Sequence, residues 1–147
     1  MRDVLLDTQT VCYWYDIKCR QHQAVVTNIA SFQEQGKLLE HKPRLLVSVI
    51  TLGEIEYGHR VNPPPVPDVC MDYLRFVNER LPDRLEVTAD VTVAFGELRS
   101  RLFNKYAPHG KRTPKMRPEQ LTDPITSREL GIQENDLWLC AQAIGHD

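Results

Sequence analysis

The sequence predicts an α/β fold, in which a parallel sheet carries helices on both faces. The order of the segments supports this, because short apolar runs rich in branched residues alternate with longer segments of helical periodicity. A length of 147 residues, with 41% hydrophobic and 26% charged side chains, is ordinary for one domain with one core. We therefore expect a single domain that covers residues 1–147.

The first half of the chain predicts a strand, two helices, a strand and a helix. The apolar run before Asp7 is typical of a short buried strand, and Pro43 precedes a second run of the same kind. Thr51 and Glu54 form the T-x-x-E pattern of a helix N-terminus, and that helix is expected to end near Gly58. The predicted strands are residues 3–6 and 44–49, and the two other helices are residues 8–15 and 19–39.

A proline-rich run divides the chain after this helix. Residues 62–67 contain four prolines, which remove backbone donors and predict an extended linker. Asp68 is expected to cap the next helix, and Pro82 closes it. Residues 84–87 then predict a third short strand.

The last third of the chain begins with a strongly amphipathic segment. Residues 91–105 predict a helix, since their apolar positions recur at helical spacing. Asp123 and Pro124 resemble an N-cap and first-turn pair, so a short helix ending at Gly131 is expected. The final helix is predicted to begin near Asn135.

Three acidic residues stand at the joints between predicted elements. Asp7 follows the first strand, Glu54 lies one helical turn after the second, and Asp136 opens the last helix. Ligands of α/β folds bind outside the carboxyl edge of the parallel strands, where such side chains can gather. Oxygen ligands suit Mg²⁺ or Mn²⁺ better than zinc, and no Cys or His pair has the spacing of a zinc site. The three acids are therefore candidate metal ligands and catalytic residues.

Each acid also has a purely structural explanation. Glu54 can be the second half of a capping box, and Asp136 can favour the positive end of its helix. Asp7 is harder to explain in this way, because a carboxylate directly after a buried strand is expected to pay a desolvation cost, so a metal, a cation or a strong hydrogen bond is expected nearby.

Three strings of the sequence surround the three acids: LLDT at residues 5–8, SVITLGEIEYG at residues 48–58 and NDLWLCAQAI at residues 135–144. Together they resemble the successive motifs of PIN-domain ribonucleases, and more narrowly the VapC-like toxins of bacterial type II toxin-antitoxin modules. The resemblance runs from the first strand to the last residue. By it, Asp7, Glu54 and Asp136 correspond to the metal-coordinating acids of the family.

The resemblance implies a three-layer PIN-like fold and a metal-dependent endoribonuclease that hydrolyses RNA. Asp7 and Asp136 would hold Mg²⁺ or Mn²⁺, and Glu54 would complete the shell or orient a water. An RNA substrate, a cognate antitoxin and a homodimer are the implied partners. Family members continue past the last helix into another strand with a fourth acid, and this sequence stops at Asp147. We therefore expect the fold to lack that last strand.

Functions other than a nuclease are supported by the sequence to different degrees. The missing fourth acid favours a catalytically impaired PIN-like module that acts through protein-protein contacts. A phosphoaspartate enzyme with Asp7 as nucleophile is less well supported, since the second acid expected two residues later is Gln9. Serine and cysteine hydrolases lack a recognisable motif. The basic loop between Lys105 and Arg117 has two open interpretations, an RNA contact or a solvated surface segment.

Net charge, N-terminal composition and cysteine spacing indicate how the protein attracts nucleic acid, where it is located and whether its cysteines are reduced. The formal net charge of -2 gives no global attraction to nucleic acid, so phosphate binding would depend on local basic residues. The N-terminus has no long apolar region typical of a signal peptide or a membrane span, and a cytoplasmic protein without membrane contact is expected. The four cysteines lie in apolar or helical segments without C-x-x-C spacing and are expected to be reduced.

Overall fold

The computed structural model describes residues 2–64, 68–110, 112–113 and 115–146, apart from the side chain of Asp68. The chain forms two compact units, the N-terminal unit Met1–Leu85 and the C-terminal unit Glu86–Asp147. In the described residues, the helices and strands are β1 Val4–Leu6, α1 Thr8–Tyr15, α2 His22–Lys37, β2 Leu45–Ser48, α3 Val49–Val61, α4 Asp68–Arg80, β3 Arg84–Leu85, α5 Ala89–Tyr106, a 3₁₀ helix Pro118–Gln120 and α6 Glu134–Gly145.

The N-terminal unit contains a parallel sheet in the order β1-β2-β3. Leu6 pairs with Val47, so β1 and β2 end side by side. Each of these strands leads into a helix within two residues, α1 after β1 and α3 after β2. The predicted α/β class with a parallel sheet is confirmed.

One arginine ties the amino ends of the three strands together. Arg44, just before β2, donates its backbone N–H to Asp3 Oδ1 and its guanidinium to Asp3 Oδ2, both at 2.7 Å. The same guanidinium lies 3.7 Å from Asp83 Oδ1, just before β3. These bonds fix the register of the sheet at its amino edge, and the donors on Arg44 lower the pKa of Asp3.

Apolar side chains from both sheet and helices fill the core of the N-terminal unit. Val47 of the central strand and Val11 of α1 are fully buried. Trp14 packs edge-on against Phe76 of α4, with ring centroids 5.2 Å apart. The buried cluster consists of Leu6, Val11, Ile29, Val47, Ile55, Tyr73, Val77 and Leu81.

The C-terminal unit is built on the packing of α5 against α6. Phe95 and Trp138 stack face to face, with centroids 3.8 Å apart and planes 9° apart. Near the other end of α6, a Cβ on Gly145 would lie 3.2 Å from the backbone of Val91, so a larger residue there would require Val91 to shift by a few tenths of an ångström. Among the described residues, none of the helices is both long and apolar enough to cross a membrane.

The predicted start of the helix after β2 is wrong. α3 begins at Val49 instead of Thr51, because the buried hydroxyl of Ser48 accepts the Ile50 N–H at 2.9 Å and caps the helix directly at the end of β2. Glu54 therefore lies in the second turn and is not part of a capping box. The cap predicted at Asp68 lies outside the described side chains.

The helix predicted from Asp123 to Gly131 is also wrong. Asp123 Oδ1 accepts the N–H groups of Ile125 and Thr126, at 3.0 and 2.7 Å, which forms a turn in place of a helical cap. The chain then folds back, with Thr122 bridged antiparallel to Glu129. The side chain of Asp123 satisfies the local donors, so the segment does not need helical hydrogen bonds.

We expect Asp3→Asn to destabilise the protein in a pH-dependent way. The lowered pKa of Asp3 in the folded state means that its ionised form stabilises the fold above the unfolded pKa, and that this contribution is lost as the pH falls through the folded pKa. Urea unfolding should therefore show a gap between wild type and Asp3→Asn at about pH 6 that shrinks towards about pH 2. A gap that stays constant over this range would contradict the role of the ionised carboxylate.

Candidate functional site

Asp7 caps α1 at the carboxyl end of β1. Its Oδ1 accepts the backbone N–H of Thr10 at 2.7 Å, and its backbone is extended as an N-cap requires. The side chain is exposed, so the expected desolvation is absent. In the part of the chain that the structure describes, no lysine or arginine forms an ion pair with Asp7. One carboxylate oxygen thus serves the helix, and no described basic side chain neutralises the charge.

Glu54 meets the residue that follows Asp7. The hydroxyl of Thr8, at the first position of α1, donates to Glu54 Oε2. The same hydroxyl lies 3.3 Å from the hydroxyl of Thr51, which is one turn before Glu54 and fully buried. The turn after β1 and the helix after β2 are therefore joined through side chains at the carboxyl edge of the sheet. Two of the three predicted site residues are brought to this edge by one element junction.

Asp136 lies in the C-terminal unit, in the first turn of α6, and is exposed. Its Oδ2 accepts the backbone N–H of Gln133 at 2.8 Å and completes a capping box. One oxygen of Asp136 therefore serves a capping box, a structural role that differs from the helix-dipole effect expected for this residue. Among the described residues no basic side chain pairs with Asp136, whereas the neighbouring acid Glu134 pairs with Arg99 at 3.1 Å.

The convergence of all three acids on one ion stays a prediction. Among the described residues, no three His, Cys, Asp or Glu side chains are grouped so that they could hold a metal ion. Mg²⁺, however, is commonly held by one or two carboxylates, with waters and substrate phosphates supplying the remaining oxygens. Asp7 and Glu54, with the hydroxyls beside them, are oxygen donors of this hard type. Their donor chemistry fits Mg²⁺ or Mn²⁺.

Sequence reasoning missed the two threonines of this junction. In the sequence, Thr8 belongs to the first motif and Thr51 fits a helix cap. The signal in the sequence is that Thr8 directly follows an acid at a strand end. A second hydroxyl residue, Thr51, lies three residues before Glu54. That pattern did not reveal the contact, because the pairing of β1 with β2 brings the two segments together and the sequence does not state the register.

The basic loop packs partly against α5. Arg112 lies over the ring of Phe103, 4.9 Å from its centroid, and donates to the carbonyl oxygens of Phe103 and Asn104 at 3.3 and 3.1 Å. These bonds satisfy acceptors near the C-terminus of the helix. Arg117 contributes to a groove of about 340 Å³ in the same unit, whose apolar lining includes Leu121 and Leu137. The Arg112 side chain is therefore held against the C-terminal end of α5.

Comparisons with known proteins identify a similar structure. No protein-family model matches the chain, and no curated protein sequence matches it. The chain is similar to a chain in the crystal structure of VapBC2 from Rickettsia felis bound to a DNA fragment from their promoter, with a TM-score of 0.64. The likeness covers 97% of this chain and 80% of that chain, at 19% sequence identity. This likeness shows the fold.

We expect Asp7→Asn to preserve the fold and Asp7→Ala to weaken it. Asparagine caps a helix about as well as aspartate, whereas alanine removes the acceptor for Thr10 and costs about 1 kcal/mol. Urea denaturation should therefore leave Asp7→Asn within about 0.5 kcal/mol of wild type. Equal losses in both variants would show that the charge, and not the cap, stabilises α1. Asp7→Asn is the variant that removes the charge with the least structural change.

Proposed function

We propose that the protein is a metal-dependent endoribonuclease, the toxin of a toxin-antitoxin pair. The observation that carries the proposal is the Thr8 to Glu54 hydrogen bond, because it joins the Asp7 turn to the helix that bears the second predicted acid. A module that served only for protein contacts would not need two acids at the ligand edge of a parallel sheet. The fold likeness supports the same assignment at a coarse level.

In this proposal Asp7 and Asp136 hold Mg²⁺ or Mn²⁺ through their carboxylates, and Glu54 completes the shell or orients a water. The bound cation would supply Lewis acidity, which lowers the pKa of water and stabilises negative charge on phosphoryl oxygens. The chain itself supplies the donors that hold the three carboxylates in position. The Thr10 N–H holds one oxygen of Asp7, the Gln133 N–H holds one oxygen of Asp136, and the Thr8 hydroxyl holds Glu54.

The proposed partners follow from the same assignment. The structurally similar chain belongs to VapBC2, which was crystallised with promoter DNA, and a cognate antitoxin is accordingly proposed for this protein. The substrate is RNA in the cytoplasm, and the active form is a homodimer. The net charge of -2 means that RNA would be attracted by local groups, such as the arginines of the C-terminal unit, and not by the molecule as a whole.

The alternative is a catalytically impaired PIN-like module that acts through protein-protein contacts. One observation favours it: the described residues contain no three-ligand group for a metal. Under this alternative, Asp7, Glu54 and Asp136 would serve only as helix-start and junction residues. Substitutions that remove their charge would then leave the affinity for an antitoxin unchanged.

We expect the wild-type protein to cleave RNA with Mg²⁺ or Mn²⁺ and to lose this activity in EDTA. Asp7→Asn, Glu54→Gln and Asp136→Asn should each lower the rate by about 100-fold, which corresponds to about 2.7 kcal/mol of transition-state stabilisation. The assay uses the full chain and a panel of single-stranded and hairpin RNAs. Asp90→Asn is the matched control for Asp136→Asn, since Asp90 is also an exposed acid in the first turn of a helix.

Two outcomes would decide against the nuclease. Chelator-insensitive cleavage that is equal in wild type and Asp7→Asn would mean that another activity was measured. Absence of cleavage by the folded wild type, together with equal binding of wild type and Asp7→Asn to a protein partner, would support the binding module.

A further inference from the structure

We propose that Thr8 is a positioning residue, which fixes the carboxylate of Glu54 with the help of the buried hydroxyl of Thr51. The inference rests on the proposed function, because the carboxylate is positioned for a bound divalent cation. It assigns a role to two residues outside the three predicted acids. The contacts that carry it lie within the N-terminal unit.

The direction of the hydrogen bonds follows from counting protons. A threonine hydroxyl carries one proton and two acceptor lone pairs. Since Glu54 accepts the proton of Thr8, the hydroxyl of Thr51 can supply its own proton to Thr8 across the 3.3 Å between their oxygens. The three side chains then form a short relay from Thr51 through Thr8 to Glu54. Thr51 is fully buried, so the relay has a fixed end in the protein interior.

The relay restrains the Glu54 side chain through its Oε2 atom. Holding a glutamate in one conformation costs rotamer entropy, and a preformed hydrogen bond meets this cost before an ion binds. Threonine is well suited to the task, because its branched Cβ restricts χ1. A hydroxyl also leaves the charge of the carboxylate intact, whereas a lysine or arginine in its place would compete with a metal cation for the carboxylate.

A merely structural role for Thr8 makes a different prediction. If the Thr8 hydroxyl only stabilised the junction between α1 and α3, its loss would lower the stability of the protein and leave the affinity of the folded protein for a cation unchanged. If it positions Glu54, its loss weakens cation binding in protein that remains folded. Partners that orient metal ligands typically contribute 10- to 100-fold to affinity or activity.

The test compares Thr8→Val and Thr8→Ser in the full chain. Thr8→Val keeps the shape and removes the hydroxyl, and Thr8→Ser keeps the hydroxyl. Protein is freed of metal with EDTA, the chelator is removed, and the affinity for Mn²⁺ is measured by titration calorimetry. Thr8→Val should bind Mn²⁺ about 10-fold more weakly than wild type, and Thr8→Ser should bind it nearly as tightly as wild type. With RNA as substrate, kcat should fall by about the same factor at saturating Mn²⁺ while KM stays unchanged.

Two further variants keep the test decisive. Thr27→Val is the matched control, because Thr27 is an exposed α2 residue whose hydroxyl bonds only within its own helix, to Gln23 O at 2.8 Å. It should bind Mn²⁺ like wild type. Thr51→Val should show part of the Thr8→Val effect, and Thr51→Ala, which also lacks the hydroxyl, replaces it if the valine variant does not fold.

The outcomes separate this inference from the proposed function. Wild type that binds Mn²⁺ and cleaves RNA, with Thr8→Val equal to it in both, would overturn the positioning role and leave the nuclease standing. Mn²⁺ binding without cleavage would overturn the nuclease, and the Thr8 series would still decide the positioning role. Absence of Mn²⁺ binding by wild type would overturn both. Loss of binding in Thr8→Ser as well as Thr8→Val would also contradict the role of the hydroxyl.

Discussion

The parallel pairing of β1 with β2 is the constraint on which the candidate site depends. Because Leu6 pairs with Val47, the two strands end at the same level, and each leads into a helix within two residues. Two helix N-termini are thereby fixed side by side at the carboxyl edge of the sheet. Thr8 enters α1 at the point where it can reach the second turn of α3, and it meets Glu54 there. A shift of one residue in register would turn these side chains away from one another.

The two edges of the sheet treat their carboxylates differently. At the amino edge, Arg44 binds Asp3 and lies near Asp83, so the acids there are paired with a cation and serve the fold. At the carboxyl edge, Asp7 is held by a backbone N–H and Glu54 by a hydroxyl, both of which are neutral donors. Neutral donors orient a carboxylate without cancelling its charge. For Asp7, this contrast supports the proposed ligand role, because an acid kept only for stability would be better paired.

The sequence predicted most of the N-terminal unit because local signals and tertiary structure agree there. The helix from Thr8 to Tyr15 was predicted with its observed ends, and β1 and β2 within one or two residues. Errors arose where one polar side chain had two possible partners. Thr51 fits a capping box in sequence, but Ser48 caps α3 first, and Asp123 fits a helix cap but closes a turn. The acids could be nominated by their position at element ends, whereas the relay through Thr8 depends on strand register, which no local pattern specifies.

The central proposal is that Asp7, Glu54 and Asp136 each contribute a ligand to a divalent ion, and paramagnetic broadening by Mn²⁺ tests it most directly. Small amounts of Mn²⁺ added to the ¹⁵N-labelled chain should broaden the amide signals of residues 7–8, 54 and 136 together, before those of Asp3 and Asp123. The account predicts this joint broadening in wild type and its loss in Asp7→Asn. Broadening at Asp7 without Glu54 and Asp136, or broadening that is the same in Asp7→Asn, would contradict the claim.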